Sequence, residues 1–134
     1  CVVKPPHGRG SSGVSVLGLA AQWSLWAMLE IEHLLLNLLE HRALLAEFSR
    51  DPSVIERNEL LLKWPLKVLN DALAASSHLA GSTFTVADLN VASILVWGKM
   101  ARLDLTAYPD LARWLNACLA RPAYGRLRDR SSRS

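Results

Sequence analysis

The chain has 134 residues, of which 51% are hydrophobic and 20% charged, with a net charge of +3. That length is one domain with room for a real core, and the hydrophobic share excludes a disordered polypeptide. The positive balance gathers in the closing "RLRDRSSRS", with no basic residues interleaved with aromatics elsewhere. It therefore reads as a solvated tail from about residue 126 and gives a nucleic-acid interface only weak support.

Residues 1–13, "CVVKPPHGRGSSG", read as a linker or truncated interdomain segment, because Pro5, Pro6 and the Gly/Ser cluster prevent regular structure. They hold no apolar stretch for a secretory signal, and His7 belongs to the linker. The opening residue is Cys1 rather than Met, which points to processing, truncation or an incomplete reading frame. Cys1 and Cys118 form no CxxC and no metal spacing, so the expected setting is reduced and cytoplasmic.

The helical domain is expected over residues 14–134, with the basic tail from about residue 126 at its end. The first helix is predicted over about residues 17–46, roughly 45 Å at the usual rise. It is apolar around most of its circumference, with Trp23, Trp26, Met28, Leu29, Ile31, Leu34, Leu35, Leu38 and Leu39. Such a helix needs cover on more than one side. Its longest apolar run, "HLLLNLL", is broken well short of a membrane span. "SRDPS" interrupts the helix, and Asp51 or Ser53 is expected to cap a second one over about residues 54–78. Pro65 falls inside it and predicts a kink near residues 58–63, with Gly81 as the residue that ends it.

"STFTVADLNVASIL" starts the third helix, about residues 86–103. Thr85 is the N-cap, Asp88 three residues on completes a capping box, and Phe84 and Leu89 stand at the positions of a hydrophobic staple. A fourth helix follows Pro109, with Leu111, Trp114, Leu115, Cys118 and Leu119 on one stripe, and Pro122 stops it before one short turn. No strand pattern stands against this. The fold class is all-α, a bundle of about four to five helices led by one long helix.

Chemistry is sparse. Glu30 and His33 form an ExxH pair, but a di-iron bundle needs a second such pair and further carboxylates, so no metal site is expected. Glu30, His33, Asn37 and Glu40 make one polar seam. It reads as a solvated face, or its N-terminal part, with Trp26, lines a ligand cleft. His41 and His78 read as helix-end residues, and Trp64, Trp97 and Trp114 as core or interface aromatics. No catalytic set is defined, and Cys118, on an apolar stripe, is expected to be an inert thiol.

Three segments, "AQWSLWAMLEIEHLLLNLLEHR", "WPLKVLNDALAASSHLAGSTFTVADLNVASIL" and "YPDLARWLNACLARPAYGRL", resemble in content and order the C-terminal helical domain of bacterial glutathione transferases. The resemblance spans nearly all of residues 20–128. It implies that Thr85 and Asp88 are scaffold residues, and that Trp23, Trp26, Glu30 and Trp97 contribute to the wall of the electrophile pocket. One departure is His33, which stands where relatives often carry Pro; a straighter first helix is one consequence.

The resemblance further implies that glutathione, as co-substrate, is held by an N-terminal thioredoxin-like domain. The 13 residues before the helices are too few for even one βαβ unit of about 30 residues. The expectation is the electrophile-pocket and dimerisation half of a glutathione transferase, inactive alone and without a cofactor of its own. Its expected partners are a second copy, the missing domain and a small apolar ligand, with no nucleic acid and no membrane. The alternative is a non-catalytic interaction module of the same fold.

Overall fold

The computed structural model describes Pro5 and residues 16–121. The rest of the predicted linker, with Cys1 and His7, the stop at Pro122, the turn after it and the basic tail lie outside the described residues. Among the described residues five α-helices follow in chain order: α1 (Val16–Ala27), α2 (His33–Leu39), α3 (Pro52–Ala75), α4 (Val86–Met100) and α5 (Pro109–Leu119). Among the described residues there is no strand, only one isolated bridge between His78 and Gly81. The fold is all-α.

The long first helix is present but not uniform. α1 passes into a π-helical turn at Met28–Glu32, then α2, then a second π-helical turn at Glu40–Leu44. The helix widens in the turn just before His33, as π turns inside α-helices do. The winding ends where Leu45 turns to extended backbone. Arg42 fixes this end from the side: it pairs with Glu59 on α3 and donates to the Ala101 carbonyl just past α4.

Asp51 caps α3, accepting from the Ser53 amide at 2.9 Å and the Ser53 hydroxyl at 2.7 Å. α3 then runs unbroken through Pro65 for 24 residues. Leu62, Leu66, Leu69 and Leu73 form its buried stripe. Interior proline costs about 3 kcal/mol, whereas each fully buried leucine contributes about 2 kcal/mol, so packing outweighs the lost hydrogen bond. The helix ends at Ala75, short of the predicted 78. Gly81 is accordingly not its terminating residue. It sits in the following turn at φ +134°, a conformation that favours glycine, and its carbonyl accepts from the His78 amide. His78 thus belongs to that turn rather than to a helix end.

α1 packs on α4, α2 on α3 and α4, and α5 on α3 and α4. Trp23, Ile31, Leu35, Leu69, Leu95 and Leu115 are fully buried members of the single core this creates. α5 buries Leu111, Trp114, Leu115 and Cys118 on one side. Its first turn is capped from another helix, since the Leu111 amide donates to Asn70 Oδ1 at 3.0 Å.

Candidate functional site

Thr85 adopts extended backbone and stops the turn before α4, so its side chain is free to face the first helical amides. The Thr85 hydroxyl accepts from the Ala87 amide at 3.2 Å, and Asp88 Oδ2 accepts from the Thr85 amide at 2.9 Å. Phe84 is half-buried against the core and Leu89 is half-buried on α4. Asp88 does more than close a box. It is fully buried, and its other oxygen accepts from the Trp114 indole at 2.8 Å and the Leu79 amide at 3.0 Å. A carboxylate out of water needs that many donors. His78 Nδ1 lies 3.6 Å from the same oxygen, beyond hydrogen-bond length.

Of the residues assigned to the electrophile wall, Trp23 and Trp26 lie within the core, each 1% exposed. Their rings meet edge to face at 5.4 Å, and Trp26 meets Trp64 of α3 at 6.3 Å. Neither indole N–H of the first pair finds a hydrogen-bond acceptor. Glu30 is half-buried in the first π turn, and Trp97 is half-buried on α4 against the core. The structure thus joins Trp23 to Trp26 directly and leaves Glu30 and Trp97 partly at the surface. On the first helix Leu25, Met28 and Leu29 are 56%, 52% and 50% exposed, and Trp64 is 41% exposed.

The polar seam divides. His33 and Glu40 are exposed, whereas Asn37 turns inward and donates to the buried Asn58 at 3.1 Å. His41, at the end of the first helix, accepts the Asp51 amide at 2.9 Å on Nδ1. Among the described residues no group of three or more His, Cys, Asp or Glu could hold a metal ion. Burial pushes the Cys118 thiol up to about 12, reinforced by the charge of Asp88, so its nucleophilic thiolate is scarce near neutral pH. The contacts that sequence reasoning missed are the second oxygen of Asp88, the Asn70 cap and the Asn37–Asn58 pair. Only the last left a sequence signal, an Asn on an otherwise greasy helix.

A bundle led by one long helix, with a capping-box aspartate buried beneath α5, defines an all-α helical domain. The family profile "Glutathione S-transferase, C-terminal domain" matches residues 31–122, and the chain belongs to that family. Among solved structures it is similar to a glutathione S-transferase III in apo form, at 26% identity and TM-score 0.72, covering 87% of this chain and 56% of that one. A glutathione S-transferase-I bound with lactoylglutathione matches at 23% identity and TM-score 0.74, covering 83% and 55%. A glutathione transferase from Burkholderia graminis, holding two glutathione molecules per subunit, matches at 23% and 0.68, covering 80% and 47%. The chain spans about half the length of each. Among the described residues, no helix is long and apolar enough to cross a membrane.

Proposed function

We propose that this chain is the helical half of a cytoplasmic glutathione transferase, forming the electrophile wall and the subunit contact beside a thioredoxin-like domain. On this reading residues 14–134 are the helical domain and residues 1–13 the link to its neighbour. Glutathione is the co-substrate of the complete enzyme. Conjugation needs the tripeptide anchored and its sulfur held as a thiolate next to the electrophile, and both tasks fall to the thioredoxin-like domain. Glu30 and Trp97 face the small apolar substrate, with Trp23 and Trp26 as the rigid aromatic layer beneath.

The observation that carries this reading is the half-exposed apolar surface of Leu25, Met28 and Leu29 on the first helix of a chain in this family. Apolar surface concentrated in this way marks an interaction face. The test is conjugation of an aromatic electrophile by residues 1–134 alone and after addition of a thioredoxin-like glutathione-binding domain in trans. The expected result is no turnover alone and measurable turnover on reconstitution. Saturable conjugation by the chain alone, abolished by a point mutation within it, overturns the proposal. The alternative, a non-catalytic interaction module, uses the same exposed face; stable association with the added domain but no turnover selects it.

A further inference from the structure

The polar seam of the first helix faces more than solvent. A cavity of about 410 Å³ opens between the second half of that helix and the start of α3. One wall carries His33, Asn37 and His41, and the other carries Arg57 and Asn58. Leu34, Val54 and Leu61 give it an apolar part. It shares no residue with Trp23, Trp26, Glu30 and Trp97, so it stands apart from the electrophile wall.

The polar groups offer mostly donors, and their contacts within the chain leave several unused. Asn58 is 4% exposed, at a depth where an unpaired carboxamide costs free energy. Its Nδ2 donates to the Val54 carbonyl at 2.7 Å, and its Oδ1 accepts from Asn37 Nδ2 at 3.1 Å. Each amide nitrogen carries two hydrogens, so one remains on each residue. His41 accepts the Asp51 amide on Nδ1 at 2.9 Å, which leaves Nε2 as its N–H donor. Arg57 has no ion pair among the described residues. Among the described residues no Asp or Glu lines the cavity. Asp51, joined to His41 through its amide, directs its carboxylate at Ser53 instead.

Donors on two facing walls suit an anion with oxygens on more than one side. A carboxylate offers two oxygens along one edge, whereas a phosphate monoester offers three strong acceptor oxygens around one centre. We infer that this cavity binds a phosphate monoester of a small apolar alcohol. The phosphate lies on Arg57, His41 and the two carboxamides, and the alkyl part lies on Leu34, Val54 and Leu61. Arginine is the suited cation, because its planar fork can grip two phosphate oxygens at once. The volume falls within the usual range for ligand pockets, about 300 to 1,000 Å³, and leaves room beside the phosphate for a short chain.

This inference does not depend on glutathione chemistry, so its readout is binding and not turnover. The test is a titration of the ¹⁵N-labelled chain with n-butyl phosphate and, in parallel, with pentanoate at fixed ionic strength and neutral pH, followed by NMR. Saturable shifts are expected at the side-chain amides of Asn37 and Asn58 and at the Leu61 backbone amide. Pentanoate is expected to bind roughly tenfold more weakly, the factor that loss of a charge-assisted contact brings. Arg57→Gln should weaken butyl phosphate by a similar factor. Lys63→Gln removes the same charge from the same helix but outside the cavity, and should leave the affinity unaltered. Equal affinity for the phosphate and the carboxylate in the unaltered chain overturns the proposal without reliance on any variant. Equal effects of Arg57→Gln and Lys63→Gln also overturn it, because they reduce the binding to attraction by overall charge. Shifts that do not saturate return the seam to a solvated face.

Discussion

Trp114 donates its indole N–H to Asp88 at 2.8 Å, and this bond ties the last helix to the first turn of α4 across 26 residues. Local spacing alone casts Asp88 as half of a helix cap. The structure adds two buried tertiary donors to the same side chain, so cap and core share one carboxylate.

A difference in stability between the two members of the box follows. Thr85→Ala removes a cap and should cost about 1 kcal/mol. Asp88→Ala leaves the Trp114, Leu79 and Thr85 donors unmatched inside the protein and should cost about 3 kcal/mol or more. Urea unfolding of both variants and of Trp114→Phe checks this, with strong coupling expected between positions 88 and 114. Equal losses for Thr85→Ala and Asp88→Ala would confine Asp88 to its capping role.

The cap on α5 comes from a different helix, and its loss should look different. Tyr108 makes no side-chain capping bond, while Asn70 on α3 accepts from the Leu111 amide. Asn70→Ala should lower stability by about 1 kcal/mol, and Asn70→Asp should retain most of it because the carboxylate still accepts and favours the positive helix end. Amide exchange at Leu111 locates the effect: protection there should fall in the alanine variant before protection on α3 does.

What could be read from sequence divides along the range of each interaction. The order of the helices, the spacing of Thr85 and Asp88 and the stripe on α5 are legible because their determinants lie within one or two turns. The end of α3 is not legible in the same way, since a glycine at positive φ serves equally as a helix terminator or as a turn residue, and Gly81 is the latter. Asn70 and Leu111 are 41 residues apart, and Asn37 and Asn58 are 21 apart, so packing alone creates those pairs. The first helix presents a related difficulty. An all-round apolar pattern shows that Trp23, Trp26, Leu25 and Leu29 all need cover, but not which of them the domain covers itself. The structure covers the two tryptophans and leaves the two leucines half-exposed.

Cys118 makes the alkaline limb of the stability curve informative. Its thiol is raised from 9.0 to about 12 in the folded chain, so the unfolded chain loses this proton first. The native state then binds more protons than the unfolded state, and stability falls as pH rises. The contribution is complete below about pH 9 and disappears as pH passes 12. Between those limits the slope is about 1.4 kcal/mol per pH unit at full effect. Cys118→Ala should flatten the curve there relative to the unaltered chain, measured by urea unfolding at stepped pH with all other titrating groups held in common. An unchanged slope would mean that Cys118 ionises alike in both states.

The exposed leucines set the last expectation. Leu25 and Leu29 are one turn apart on the first helix, so they present neighbouring side chains, and Met28 extends the same exposed surface. Trp64 reaches this helix from α3 through its contact with Trp26, which places an aromatic edge within the share of the surface that α3 supplies. Water in contact with such a face is released when two copies meet, and the gain scales with the apolar area covered. The chain should therefore self-associate through its long first helix and α3, as a dimer or as larger species when concentrated. Leu25→Glu with Leu29→Glu keeps the buried side of the helix intact, since neither residue belongs to the core, and puts carboxylates that must stay hydrated into any contact through this face. Sedimentation velocity over a range of concentrations should show association in the unaltered chain and a monomer in the double variant, with helical circular dichroism unchanged. A unaltered chain that stays monomeric at high concentration would show that this face has no affinity for itself and is left for a different domain.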